Sequence, residues 1–446
     1  VFSKVRDLAA DLDTVDVSDR EYRENLRWFR QLEEEVGTVF LHRDMAMDRY
    51  FREASTAELL PSRVPVRWTE RRATALLRTI GETIRSILLE MDVGALYMET
   101  NSAPYRLAWR LAKQHDTATY LFLSSRYWPK RGYFETELDF EWNACRKVYR
   151  RLSDNGMRES LKVRAAERLE TIRAENEKPS YSENFRGISR SVTRYLNVDK
   201  LVREARRWVN SFRSEWRRNP RVLPSAAISP LGKAVREFDN IQSNKYYERL
   251  AKREVETEGR YAVYFLHLPR EVTTMGMAFE YQDQVATIRN IVARLPADVP
   301  LYVKEHPAGA GRRGVETYAE LAHEPSLHLI HHEIDSHYLI QNASLVLTLV
   351  GTVGLESIYY GIPAIILGNV FFHEFEGLYH PEGYSELGEL LAQMGELQGA
   401  SEQDAVRVLA AMYEASVVGA HPRNWETKPE LLTETARQLA DQIQGD

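Results

Sequence analysis

The 446-residue sequence contains one cysteine, Cys145. That excludes an internal disulfide framework and any cysteine-built zinc site, and it suits a reducing compartment. Cys145 itself has no His-Asn pattern beside it and reads as a small buried hydrophobe. No apolar run approaches the roughly 18 residues of a membrane span. No secretory leader is legible, and a start at Val1 instead of Met fits the loss of an upstream piece. Positive charge is not in excess: the formal net charge is -6, which argues against general nucleic-acid binding. Short repeats and low-complexity tracts are missing too. With 43% hydrophobic and 28% charged residues, the composition is that of a globular protein with room for two domains.

The most informative stretch runs from Ser344 to Gly368. Leu345 to Val350 is an unbroken apolar run, as expected of a strand buried on both faces of a parallel sheet. Gly351-Thr352-Val353-Gly354 makes a tight turn, Leu355 to Tyr360 starts a helix, and Ala364 to Leu367 is a second buried strand. In such a β-α-β unit the turn directs backbone N–H groups and the positive helix end at one spot, which suits a phosphate. The same four residues also suit a plain tight turn. The G-x-G-x-x-G spacing is lacking, so a dinucleotide fingerprint is not indicated.

This rhythm recurs. Strands are expected at 37–41, 93–98 and 119–123 in the first third, and at 261–267, 300–303 and 327–330 later, with amphipathic helices between them. Between about 146 and 260 the pattern changes to charged helices. Residues 184–221 hold eleven Lys and Arg against three acids, with Tyr195, Trp208, Phe212 and Trp216 interleaved. That segment reads either as a solvated helical insertion or as a basic, aromatic face suited to an anionic membrane surface or an acidic, lipid-linked glycan. The fold class is therefore α/β. The chain divides into a Rossmann-like domain at 1–145, a basic helical insertion at 146–260 and a second Rossmann-like domain at 261–446.

In open α/β sheets ligands bind beyond the carboxyl ends of the strands. Those ends hold His267 and Glu271, then Lys304, His306 and Pro307, then Gly351, Thr352, Val353, Gly354 and Glu356. Cationic and donor groups on one side, facing a helix start on the other, would make an anion site. Glu356, one turn into the helix, suits ribose hydroxyls. His373, with Glu374 and Glu376, follows the strand ending at Gly368 and is expected to border the same site. His328, His331, His332 and His337 read as incidental, and no metal site is expected.

His267-Leu-Pro-Arg-Glu-Val-Thr-Thr274, Asp283-Gln284, Leu301-Tyr-Val-Lys-Glu-His-Pro307 and Gly351-Thr-Val-Gly-Leu-Glu356 with Gly361-Ile-Pro363 resemble the capsule polysaccharide biosynthesis proteins, a family that includes bacterial β-Kdo transferases. The resemblance covers about 261–372. It implies a GT-B pair of Rossmann-like domains facing across a cleft, with the donor nucleotide on the C-terminal one. His306 and Pro307 would hold the donor phosphate, and Thr352, Gly354 and Glu356 would close the nucleotide site. Leu268-Pro269 stands where a Gln-Pro-like pair is expected.

A transferase of this type needs no metal or cofactor if cationic groups and a helix end stabilise the departing phosphate, and no Asp-x-Asp lies near either crevice. An inverting reaction also needs a general base for the acceptor hydroxyl. Glu99, at a strand end, is the first candidate and Asp44 the second. The expected protein is a cytoplasmic glycosyltransferase, peripheral on the inner membrane face. It would use a nucleotide-activated, CMP-Kdo-like donor and a glycan or lipid-linked acceptor. The alternatives are a CDP-polyol phosphotransferase and a non-catalytic glycan-binding scaffold. A non-hydrolysing epimerase finds no paired acidic set to support it.

Overall fold

The computed structural model describes residues 17–48, 70–91, 93–98, 102–138, 143–179, 230–257, 259–268, 271–418, 433 and 437–438. Two compact units emerge, one from Val1–Thr119 with Gly187–Asn240, the other from Tyr120–Arg186 with Ile241–Asp446. Boundaries drawn from sequence at 145 and 260 thus differ from the breaks in the structure. The basic segment 184–221 lies outside the described residues.

In the first unit, α1 (Asp19–Val36) begins at a capping box in which the Ser18 hydroxyl and Glu21 serve each other's backbone N–H. It ends at Gly37, in the left-handed region at φ 73°. Next come α2 (Leu41–Met47), α3 (Glu70–Glu90), β1 (Ala95–Met98) and α4 (Ala103–Gln114), with Pro104 in the first turn of α4. Phe29, Leu32, Leu77, Leu107 and Leu111 share one apolar core with Phe40 and Leu41. The strand expected at 37–41 is absent. The Glu33 carboxylate accepts from the amides of Phe40 (2.8 Å) and Leu41 (2.9 Å), so these groups find partners without a sheet.

The second unit opens with β2 (Ala118–Ser124) and β3 (Arg131–Glu135), an antiparallel pair, followed by α5 (Asn143–Asn155), α6 (Glu159–Glu175) and, from Ile241 on, the second half of α7 (Pro230–Leu250). An alternating series follows: β4 (Ala262–Phe265), α8 (Val272–Met277), α9 (Gln284–Val292), β5 (Leu301–Lys304), α10 (Val315–Ala322) and β6 (Leu327–Ile330). It continues with α11 (Ser336–Gln341), β7 (Leu345–Thr348), α12 (Val353–Tyr360), β8 (Ala364–Ile366), β9 (Leu378–Tyr379), α13 (Tyr384–Ala392) and α14 (Glu402–Glu414). β10 (Val417–Val418) returns to pair with β3.

Six parallel strands form one sheet in the order β6-β5-β4-β7-β8-β9. Val263 sits in register with Tyr302 on one side and Val346 on the other. Period-two alternation gives each face its own core. Val263, Phe265, Val346 and Ile366 meet α5, α6, α12 and α14, while Ala262, Tyr264, Leu347 and Ile365 meet α7, α9, α10 and α13. Burying each Val, Leu, Ile or Phe side chain among them is worth about 1.5–3 kcal/mol. The helices α5 and α6, read from sequence as part of an insertion, are instead half of one core. Their apolar stripe (Cys145, Leu152, Leu161, Ala165, Leu169) was masked in the sequence by the charges of their outer faces.

The strand order reverses between β4 and β7. Such a switch point leaves a crevice at the carboxyl ends of the strands, because the connections leave it in opposite directions.

Candidate functional site

His267 follows β4 and Gly351 follows β7, so both stand at the switch point. They are in contact. A Cβ on Gly351 would lie 2.6 Å from Thr348 Oγ1 and 3.0 Å from His267 Cε1, so only glycine fits there. His267 is buried, and its Nε2 accepts from the amides of Leu349 and Val350, each at 3.2 Å, with the Thr348 hydroxyl at 3.1 Å. The Gly351 amide donates to Thr348 Oγ1 at 3.1 Å. The amides of Leu349 and Val350, and that of Gly351 in the turn expected to face a ligand, are therefore spent on holding the turn. His267 is a clasp between two strand ends. Burial, with the His306 and Arg313 charges adding to it, pushes its pKa down to about 3, so the ring is neutral and Nε2 is an acceptor.

His306 is half-buried, and Pro307 beside it is exposed. Nδ1 of His306 accepts from the Ala308 amide at 3.1 Å, which leaves Nε2 as the protonated nitrogen of the neutral ring. Burial holds this imidazole down to about 4 against the opposing pull of Glu305. At pH 7 it is a neutral N–H donor, and not the cation that the motif alone suggests.

Sequence reasoning missed the group that sets this geometry, Glu305. Its side chain is 0% exposed. It accepts from Arg313 Nε (2.6 Å) and Nη2 (2.9 Å), from the Tyr318 hydroxyl (2.8 Å) and from the His306 amide (2.6 Å). Arg313 Nη2 also donates to the His267 carbonyl. Burial alone would lower the Arg313 pKa, but the Glu305 carboxylate more than offsets it and the net shift is upward. The loops carrying His267 and His306 are thus tied through one buried ion pair. Only the Lys-Glu-His-Pro run with Arg313 soon after it hinted at this.

Lys304 is buried, and its Nζ donates to the His332 carbonyl at 3.0 Å. Burial pushes its pKa down to about 8, Lys178 adds to the shift, and Asp335, Glu305 and Glu356 oppose it. It therefore keeps most of its charge at neutral pH. Glu356 is buried in the first turn of α12 and accepts from the Tyr127 hydroxyl at 3.1 Å. Its other oxygen has no hydrogen-bond partner and lies 4.0 Å from His337 Nε2, which is also unpartnered. Burial raises the Glu356 pKa, while His337 and Tyr127 act the other way.

Thr352 is buried at the N-cap of α12, and Val353 packs against the core. Gly354 lets α12 approach β8 closely: a Cβ there would meet Ile366 Cδ1 at 2.6 Å and Phe372 at 3.0 Å. His373, next in the chain, stacks on His380 at 4.7 Å, and burial first, then His380 and Arg146, push it down to about 4. Glu271 sits half-exposed at the start of α8 with no side-chain capping bond.

Of the base candidates, Glu99 lies outside the described residues. Asp44 lies in a helix, α2, and not at a strand end. Both its oxygens bind buried guanidinium groups, Arg106 Nε at 2.7 Å and Arg110 Nη1 at 2.5 Å, which makes it an ion-pair anchor.

Residues 214–386 match the family model for capsule polysaccharide biosynthesis proteins. The resemblance carried by the motifs is borne out over that segment, which contains every strand-end residue from His267 to His373. No curated protein matches the chain in sequence. Among solved structures, the β-Kdo 2,4 transferase KpsC of Thermosulfurimonas dismutans is 13% identical, with 75% of this chain and 88% of that chain covered at a TM-score of 0.40. The β-Kdo 2,7 transferase KpsC of the same organism is 10% identical, with 74% and 80% covered at 0.37. A putative UDP-N-acetylglucosamine 2-epimerase from Listeria monocytogenes is 12% identical, with 78% of each chain covered at 0.26. Among the described residues no helix is long and apolar enough to cross a membrane.

Proposed function

We propose that the chain is a glycosyltransferase of capsule-type polysaccharide biosynthesis that takes its sugar from a nucleotide-activated donor, CMP-Kdo-like in class. One observation carries the reading. At the switch point His267 lies beside the Gly351 turn, and Arg313 joins the His267 carbonyl to the Glu305 carboxylate that accepts from the His306 amide, which supports the reading that the two motifs serve one crevice.

In this reading the bond between the anomeric carbon and the donor phosphate oxygen breaks as the acceptor oxygen attacks. The released nucleotide phosphate meets the neutral N–H of His306, the field of Lys304 and the positive end of α12. Glu356 receives sugar or ribose hydroxyls. The acceptor proton passes to a carboxylate that we assign to Glu99. Preformed donors and a buried cation stabilise the leaving group without a metal ion. A nucleotide-sugar donor favours a cytoplasmic setting, and the basic segment 184–221 suits an anionic membrane surface or a lipid-linked acceptor.

Titration calorimetry with CMP, CDP, UDP and CDP-glycerol tests this reading. Binding of CMP or UDP, weakened at least tenfold by His306→Ala with folding unchanged, supports it. CDP-glycerol binding would favour polyol-phosphate transfer, and no nucleotide binding would favour a scaffold.

A further inference from the structure

The histidines after β6 read as incidental in the sequence, where no spacing rule joins them to another ligand. The structure supplies the missing partner from α7, more than eighty residues upstream. Glu248, His331 and His332 each present one ligating atom, and the three atoms lie within 4.8 Å of one another. His331 Nε2 stands 3.0 Å from Glu248 Oε2, a separation compatible with both atoms binding one cation.

The rings are held as ligands are held. His331 is buried and stacked on Tyr247 at 5.6 Å and 19°, with both the Glu333 amide (3.3 Å) and Glu333 Oε2 (3.5 Å) at its Nδ1. His332 Nδ1 faces the Tyr247 hydroxyl at 3.3 Å, and that hydroxyl also accepts from the His332 amide at 2.7 Å. When the Nδ1 proton is given to the Glu333 carboxylate or the Tyr247 hydroxyl, Nε2 can take a metal ion, the outer-shell pattern of metal-bound histidine.

We propose that Glu248, His331 and His332 bind one divalent transition-metal ion. Two imidazoles with one carboxylate select zinc-like cations over magnesium or calcium, which prefer all-oxygen shells. Three protein ligands leave a position for water. The ion pins the end of α7 to the edge strand of the large sheet. Backbone pairing already runs along that seam, from Lys252 to Leu329 and from His331 to Lys252. Because the His332 carbonyl holds Lys304, the ion also braces the loop beside the crevice without entering it. One cation occupies the carboxylate now: Arg253 Nη2 donates to Glu248 Oε2 at 2.6 Å and Nη1 to Glu333 at 3.1 Å. Its side chain is 58% exposed, so it can withdraw into water as the metal takes its place.

The test is titration of zinc into the untagged, chelator-stripped full chain. One equivalent is expected to bind and to raise the melting temperature. His332→Ala and Glu248→Gln should each weaken binding at least tenfold, whereas Arg253→Ala should tighten it and His323→Ala should leave it unchanged. X-ray absorption of the zinc-loaded wild-type chain should show two imidazoles and oxygen. That readout holds even if a variant fails to fold. Absence of stoichiometric binding, affinity unaltered in both ligand variants, weaker binding in Arg253→Ala, or a shell without imidazole would each overturn the proposal.

Discussion

Replacing Glu305 with glutamine keeps its shape but removes the charge from a carboxylate shared by four donors. The amide has one acceptor oxygen, so at least one donor faces an NH2 group, and the buried Arg313 loses its counter-charge. Removing one member of a buried pair costs about 3–5 kcal/mol. Side-chain exposures of 5% for Arg313 and 0% for Glu305 rule out rescue by water. For a unit of this size, that corresponds to a fall in melting temperature on the order of 10 °C. Urea unfolding followed by circular dichroism would measure it. Because the pair interacts directly, Glu305→Gln with Arg313→Met should be milder than the sum of the single changes, with a coupling energy of about 2 kcal/mol or more. Donor affinity should fall with Glu305→Gln as well, since the His306 amide and the His267 carbonyl both depend on this network. A loss below about 1 kcal/mol, the range of exposed ion pairs, together with additive single changes, would refute the reasoning.

Acidification should destabilise the fold through its buried imidazoles. His267 and His306 have folded pKa values of about 3 and about 4 against an ordinary 6.5, so the folded chain favours their neutral forms. Their contribution is complete above pH 6.5 and is lost as pH falls toward the folded values, by up to about 1.4 kcal/mol per pH unit for each ring. Unfolding midpoints measured from pH 7 to 5 should therefore fall less steeply in His267→Gln than in the wild-type chain, and equal slopes would contradict this. Gly351→Ala pushes a methyl into Thr348 and His267. A stability loss of about 1–3 kcal/mol and weaker nucleotide binding are expected, measurable by urea melts and calorimetry. Asp44→Asn should lower stability by about 3–5 kcal/mol by removing the carboxylate charge that two buried guanidinium groups share. Glu99→Gln should instead lower turnover about 10²–10⁴-fold with donor affinity unchanged. Parallel melts and transfer assays distinguish the two roles.

The second half of the chain was legible because its strands are buried on both faces. Apolar runs, interrupted in β6 by His328, put β4, β5, β6, β7 and β8 within a few residues of their observed bounds. Asp335 caps α11, accepting from the amides of His337 (2.8 Å) and Tyr338 (3.2 Å). Local chemistry is enough for such features. What stayed hidden depends on distance along the chain. The Tyr127 hydroxyl on Glu356 joins residues 229 apart, and Glu248 meets His331 across 83. Nothing local shows that His267 takes the amides of Leu349 and Val350 beside the turn. The expected strand at 37–41 failed because three apolar residues suit helix packing as well as a strand, and Glu33 supplied the alternative partners.

The most direct test of the central claim is a crystal structure of the full chain soaked with CMP or CDP. The account predicts a phosphate within hydrogen-bonding distance of His306 Nε2 and over the first turn of α12, beside Gly351. A nucleotide bound elsewhere, or a phosphate out of reach of His306, would contradict it.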